Sequence, residues 1–517
     1  MDLPIMTTED KPDETPIRYK PKHAIIQDLI DFINRRTQII NTKNTKNEEL
    51  PKKVNRLALF NAAIKSAIAG GQKEMGEENI KNLDTYLEFA DNLLNWTPRV
   101  TSDRDELLRK ILVFYWPFNQ QQLNDLQTPI SPEFTNTDLR WLSYWLSAYA
   151  RRIGEYMARP ESVGNIWSFY TSHVYGQGHG EQETDTDPYY KTLKDRFDQW
   201  KIPDGGWKSF NDWFSREWED IDYSRPLREE NTDDKIIVHG ADSVYNGKWD
   251  IVEGKVHIEP YNDNPADKSI DTKGIDWPIE DLVRTIGPEF EGKFDNGSFT
   301  HAFLGPTDYH RQHSPVEGKV VVAKNIQEQV YLQVAQSKTK DGVTTIRPER
   351  NIVLGEGEIK RREHDLKHHA EKINSPAQQG VIKKYRENNK LEENQSVQPD
   401  TNGPNKDKIT APDHAGYQWC QTRGLIIIDT AYDKTGNPKP GGGHGLVAVL
   451  PIGMAQVSSV VFTVDVDSYV EKGQNISYFQ FGGSDIVTVF EKKPIYRDDL
   501  KAGITKLHIR EKLAEWK

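Results

Sequence analysis

Three short stretches, far apart in the chain, combine residue types that can do chemistry. Ser484 follows two glycines in Phe481-Gly482-Gly483-Ser484-Asp485, between the strand-like runs ISYFQ and IVTVFEK. Glycine lets the backbone approach and twist where other residues would clash, although an ordinary Gly-rich bulge or hairpin turn uses the same residues. The stretch Asp308-Tyr309-His310-Arg311-Gln312-His313-Ser314-Pro315 sets two imidazoles three positions apart in a turn before a proline. Such a pair suits proton transfer near neutral pH, and equally suits metal ligation or a hydrogen-bonded core. The third stretch, His239-Gly240-Ala241-Asp242-Ser243, is a tight turn offering a carboxylate that could orient an imidazole. Ser, His and Asp make up a nucleophile, base and orienter, a set whose convergence the spacing alone leaves open.

These residues need a scaffold, and 517 residues correspond to about three domains, or two with a long insertion. Lys and Arg number 67 against 79 Asp and Glu, and the net charge of −12 argues against a nucleic-acid binder, which would show a basic face. With 36% hydrophobic residues and a mean hydropathy of −0.76, the chain has no apolar run of the roughly 18 residues a bilayer span needs. The first residues lack the basic and apolar regions of a secretory signal. A lone Cys420 can form neither an internal disulfide nor a thiolate zinc site, so a reducing, cytoplasmic setting is expected.

Residues 1–22 are polar and Pro-containing and read as a disordered leader. Residues 23–200 carry helical periodicity, with Ile25, Ile26, Leu29, Ile30 and Ile33, then Trp141, Leu142, Trp145, Leu146, Tyr149 and Ile153. The Trp-rich stretch 141–153 suits a helix packed on its own core; an amphipathic helix on a membrane surface is the competing use. From Lys208 the texture changes to short β-type runs broken by Gly, Pro and Asn, with one helix around WPIEDLVRTI, so 205–517 reads as the catalytic domain. Residues 355–410 interrupt it with a polar insertion, expected to hold a solvated helix over 359–373 and disorder over 388–408. His364, His368 and His369 fall there and read as part of a charged loop rather than a metal site. The expected fold class is α+β: an N-terminal helical domain followed by a mainly antiparallel β catalytic domain with a long polar insertion.

The three chemical stretches resemble the signature stretches of the phosphatidylserine decarboxylase family, in order and in context. The resemblance begins at Ser209-Phe210-Asn211-Asp212-Trp213-Phe214-Ser215-Arg216 and continues through Ala241-Asp242-Ser243, Lys273-Gly274-Ile275 and the Asp308 to Pro315 block. It ends with Val470-Glu471-Lys472-Gly473 and Gly482-Gly483-Ser484. The DYHRxHSP block together with a C-terminal GGS is the specific part. The helical half is similar, more loosely, to the associated domain of soluble fungal-type members, including tryptophan decarboxylases.

Decarboxylating an amino acid leaves electrons on the α-carbon, and no natural side chain carries the ketone that could take them up. The resemblance implies that Ser484 attacks the carbonyl of Gly483, converts the amide to an ester and loses the acyl group by β-elimination. A pyruvoyl group would then cap a 34-residue chain, Ser484 to Lys517. His313 matches the histidine that activates the serine, Asp242 the carboxylate that holds that imidazole in its tautomer, and His310 the histidine of the decarboxylation step. The ketone would form a Schiff base with the substrate amine, so neither pyridoxal phosphate nor a metal is expected. The resemblance also implies a homodimer of processed two-chain protomers.

The sequence departs from the family at Asp485, where Thr or Ser is common; a carboxylate there opposes a developing oxyanion unless it points away or is paired. The net charge and polar leader disfavour an anionic lipid surface, which points to a free L-amino acid as substrate, aromatic ones among the candidates. Phosphatidylserine is the alternative, with 141–153 as the peripheral membrane contact, and a degenerate, non-catalytic binding protein is the second alternative. VDVDSYVEKGQNISYFQFGG also looks like half of a lipoyl or biotinyl carrier, but its tip has no lysine.

Overall fold

Apolar residues at helical spacing fold the N-terminal part into α1 (Ala24–Asn34), α2 (Arg56–Gly70), α3 (Gln72–Glu77), α4 (Leu83–Leu93), α5 (Glu106–Tyr115) and α6 (Trp141–Met157). In this computed structural model the described residues are 12–35, 38–43, 49–99, 106–166, 200–258, 275–284, 287–305, 308–330, 332–338, 341–348, 351–353, 408–410, 416–454 and 459–517. Helix α4 starts at a capping box, in which the backbone N–H of Thr85 donates to Asn82 Oδ1 over 3.0 Å and the Thr85 hydroxyl receives the N–H of Asn82.

The stripe on α6 is buried. Leu142, Trp145, Leu146, Tyr149 and Ile153 face the core, Trp145 Nε1 donates to the Ile25 carbonyl over 2.8 Å and Tyr149 Oη to that of Ala90 over 2.6 Å. Tyr144, 63% exposed, is the one large apolar side chain of α6 fully in solvent, with Trp141 and Tyr156 half-buried, so the stripe itself is used in packing.

Two expectations for this region are corrected. The leader is anchored from residue 12: the N–H groups of Arg18 and Tyr19 donate to Asp84 Oδ1, and the Tyr19 hydroxyl and Lys22 N–H donate to Asp91 Oδ2. Asp91 has no exposed surface and Asp84 is half-buried, and these carboxylates 65 to 72 residues away hold a segment whose own composition is polar. Residues 1–11 lie outside the described residues. The helical part also contains an antiparallel hairpin, Gln38–Lys43 with Glu49–Val54.

The second half forms β1 (Ser243–Val252), β2 (Ser298–Leu304), β3 (Arg311–His313), β4 (Gly318–Ile326), β5 (Arg423–Asp429), β6 (Leu446–Met454), β7 (Asn475–Phe479) and β8 (Gly483–Phe490). A ten-stranded antiparallel sheet contains the order β4, β5, β6, β8, β2, β1, while β3 and β7 pair in a small three-stranded sheet with Val460–Phe462. A short helix, α7 (Phe210–Phe214), precedes them, and the expected helix at WPIEDLVRTI is Ile279–Val283, stopped by Arg284 in the left-handed region at φ 42°.

Both faces of the large sheet are covered. Ile426, Val447, Val449, Ile486 and Phe490 join a core that runs on without interruption into the helices through Phe214, Leu146 and Phe114. Leu425, Ile427, Ala448, Leu450, Val487 and Val489 point the other way, into a core with Trp277, Phe299 and Trp419. The insertion is closed at its base, where Asn351–Val353 pairs with Lys408–Thr410. Of the stretch expected to be disordered, Lys408 is therefore in a strand, opposite Val353. The helix expected over 359–373, its three histidines and the rest of 388–408 lie outside the described residues.

Candidate active site

Ser484 is the second residue of β8, opposite Gly453 on β6 and Leu304 on β2. Side chains alternate along a strand, so Ser484 and Ile486 share one face while Asp485 and Val487 share the other. Ser484 has no exposed surface, and its hydroxyl has no hydrogen-bond partner among the described residues. The chain reaches it through Gly482 at φ 148°, a conformation open to glycine. Just upstream, the N–H of Phe481 donates to Asn211 Oδ1 over 2.9 Å, and Asn211 Nδ2 donates to the Gly154 carbonyl on α6 over 3.2 Å. The helical layer thereby pins the backbone two residues ahead of Gly483.

His310 is fully buried and lies flat on Phe214, with ring centres 3.7 Å apart. Phe214 and Phe210 in turn meet the edge of Phe481 at 5.5 and 5.2 Å, which ties His310 to the segment leading into Ser484. Burial, with Arg216 adding to it, holds the His310 pKa well below the ordinary histidine value.

His313 has both ring nitrogens engaged. Nδ1 lies 2.8 Å from the carbonyl of Gly473, which can only accept, so Nδ1 carries the proton. Nε2 is the acceptor and receives the hydroxyl of Tyr309 at 3.1 Å. Burial pushes the His313 pKa down to about 4. The backbone of His313 lies on the Ser484 side of the sheet: a Cβ built on Gly240 would sit 2.9 Å from the His313 oxygen and 3.1 Å from Ile486 Cδ1.

Asp242 does not touch the ring of His313. Its carboxylate takes the guanidinium of Arg225, with Nη2 to Oδ2 at 2.6 Å and Nε to both oxygens, and the N–H of Ile509 at 2.9 Å. His508 Nδ1 stands 3.5 Å away. Burial alone would raise the Asp242 pKa, but Arg225 and His508 outweigh it and hold the carboxyl well below the usual range. The tautomer of His313 is thus set by a backbone carbonyl, in place of the expected carboxylate. In the same turn, His239 Nε2 and Ser243 Oγ are 2.6 Å apart and buried.

Asp485 faces away from Ser484 and is paired. Its Oδ2 accepts the hydroxyl of Tyr417 and lies 3.3 Å from His301 Nε2. Tyr309, Gly473, Asn211, Arg225, Tyr417 and His301 had no assigned role in the sequence. Tyr309 sits inside the histidine block, Gly473 inside VEKGQ and Asn211 inside the Ser209–Arg216 stretch, so these three were within reach of the motifs; Arg225, Tyr417 and His301 meet the site only through distant pairing.

Among the described residues, no group of three or more His, Cys, Asp or Glu is placed to hold a metal ion, and no helix is long and apolar enough to cross a membrane.

The phosphatidylserine decarboxylase family model matches residues 210–365 and 372–515. A phosphatidylserine decarboxylase proenzyme of Fusobacterium nucleatum is 25% identical over 363 residues, 69% of this chain and 76% of the relative. A phosphatidylserine decarboxylase proenzyme of Klebsiella pneumoniae is 34% identical over 130 residues, 25% of this chain and 34% of the relative. An L-tryptophan decarboxylase of Psilocybe cyanescens is 30% identical over 128 residues, 24% of this chain and 25% of the relative.

Proposed function

The chain belongs to the phosphatidylserine decarboxylase family of carboxy-lyases, and on that premise we propose that it is a self-processing, pyruvoyl-dependent decarboxylase, cut between Gly483 and Ser484, that releases CO2 from a free amino acid. The observation that carries this reading is the hydroxyl of Ser484, fully buried and without a partner at the end of a Gly-Gly step. Leaving a buried hydroxyl unpaired costs about 1–3 kcal/mol, which is understandable where the group is kept for reaction. A pyruvoyl group made from Ser484 would supply the ketone that takes up the electrons of the broken carbon–carboxyl bond.

In the cut, Ser484 Oγ attacks the carbonyl carbon of Gly483, and a base must take the hydroxyl proton. His313 fits that role once its Nε2 exchanges the Tyr309 hydroxyl for that of Ser484: it stays neutral at ordinary pH, and Gly473 fixes Nε2 as the acceptor atom. Asp242 supports it indirectly, by holding Arg225 and the Ile509 backbone behind the histidine block. His310, stacked on Phe214 beside the segment entering Ser484, is the residue we assign to proton delivery at the substrate α-carbon.

A small, free amino acid, with aromatic ones as the first candidates, is favoured over a lipid because α6, the docking candidate, has its apolar stripe in the core. Phosphatidylserine is the second reading, since the Fusobacterium and Klebsiella relatives carry that name. A cytoplasmic dimer of processed protomers completes the proposal. Intact mass under denaturing conditions tests the cut: two species, residues 1–483 and a 34-residue chain with a blocked end, are expected, and a single full-length mass would remove the enzyme reading. CO2 release from L-tryptophan against phosphatidylserine in mixed micelles decides the substrate.

A further inference from the structure

The residue next to the proposed nucleophile carries a carboxylate with no exposed surface. In the first step of the cut, the bond from Ser484 Oγ to the Gly483 carbonyl carbon forms as the peptide C–N bond breaks, and the hydroxyl proton ends on the amide nitrogen; β-elimination then takes the Ser484 α-proton and releases Gly483 as a carboxylate, and one water converts the resulting enamine to the ketone with loss of ammonia. Negative charge gathers on the Gly483 oxygen during the first step, and a free carboxylate one residue away in a dry interior would oppose it. Asp485 is not free. The Tyr417 hydroxyl donates to its Oδ2, His301 Nε2 lies 3.3 Å from the same oxygen, and Tyr417 Oη and His301 Nε2 are themselves 3.4 Å apart.

The two partners come from rigid places. His301 is in β2, opposite Val487, in the strand directly paired with β8. Tyr417 opens a short 3-10 helix, Tyr417–Cys420, immediately after the insertion. That helix is fixed from behind by Arg423, whose guanidinium has no exposed surface and donates to the carbonyls of Asp281, Leu282, Trp419 and Gln421, and by Trp419 Nε1, which donates to Pro278.

We propose that Tyr417 and His301 form a clamp that fixes the Asp485 carboxylate on the far face of β8, so that Ser484 is presented to Gly483 and the carboxylate charge is kept from the reacting peptide. Both are positioning residues for self-cleavage, and the inference rests on the reading of Ser484 as the cleaving residue. The clamp makes the segment following the insertion a required part of maturation, because Tyr417 docks on the residue beside the cut.

The test follows cleavage of newly made chain in cell-free translation, by gel and intact mass, without reference to decarboxylation. Tyr417→Phe should slow the cut on the order of tenfold, a 1.4 kcal/mol effect. Asp485→Thr should cleave at least as fast as the parent, and the double variant should recover the rate of Asp485→Thr alone. Recovery is the informative result, since a merely structural tyrosine would leave the double variant slow. His301→Leu carries the same pair of expectations if Tyr417→Phe does not fold. A Tyr417→Phe chain cut at the parental rate, or a double variant as slow as Tyr417→Phe, would overturn the clamp alone. A parent chain not cut at Gly483–Ser484 would overturn the clamp and the proposed function together.

Discussion

His313 donates its Nδ1 proton to the carbonyl of Gly473 over 2.8 Å, and a backbone oxygen, unlike a carboxylate, does not titrate. The orientation of the ring therefore does not change with pH, and only the protonation of Nε2 does.

Self-cleavage should accordingly be insensitive to pH from about 8 down to about 5, and should fall as pH approaches the depressed His313 value of about 4. A time course of chain cleavage in buffers across that range checks it. A loss of rate centred near an ordinary histidine value would point to a different base.

Stability should move with the same group. His239 and His313 are both depressed from 6.5 to about 4 by burial. Their neutral forms are compatible with the fold above 6.5, whereas between 6.5 and 4 the unfolded chain binds the protons and the native state does not. Stability is lost as pH falls through that window, by about 3 kcal/mol per histidine at its lower end. Denaturant midpoints at neutral and acid pH measure this.

Ser484→Ala should give one uncut chain with no decarboxylase activity, and two chains from it would place the cut elsewhere. His310→Ala should still be cut, with CO2 release lowered by about two orders of magnitude or more. Intact mass and a decarboxylation assay on the same preparation separate the two effects.

Asp242→Asn should act first on folding. It leaves the Arg225 guanidinium, 5% exposed, without its counter-charge, which costs about 3–5 kcal/mol. Replacing both Asp242 and Arg225 by apolar residues should cost less than the sum of the single changes, as measured by thermal unfolding. A variant as stable as the parent that has lost only self-cleavage would return Asp242 to the side of His313.

Asp91→Ala removes the acceptor of the Tyr19 hydroxyl, Lys22 and His23, so the stretch 20–23 should loosen while Asp84 still holds the N–H groups of Arg18 and Tyr19. Limited trypsin digestion should then cut at Lys20 or Lys22 well before the rest of the chain.

The sheet was legible where physics is local. Strands such as β5, β6 and β8, covered on both faces, read as continuous apolar runs, and α6 announced its stripe. The hairpin over 38–54 and the anchored leader were not, because polar residues form both and, for the leader, distant carboxylates supply the order. Ser484, His310 and His313 stood out by motif. The partner of His313 did not, since Asp242 is closer in sequence than Gly473 and the choice is made by a turn 160 residues further along. Tyr417 and His301 are 116 residues apart and meet only through the folded sheet.

The proposed cleavage point lies inside a strand bonded on both edges. Ser484 to Phe490 would stay registered between β6 and β2, and beyond them Lys506–Leu507 stays on β1 and Lys512–Glu515 on Ile236–Val238. Severing the backbone there creates a new terminus without creating a separable subunit. The short chain could leave only when the central sheet opens, so exchange of short chains between molecules should be as slow as global unfolding, and the processed protein should melt as one cooperative unit.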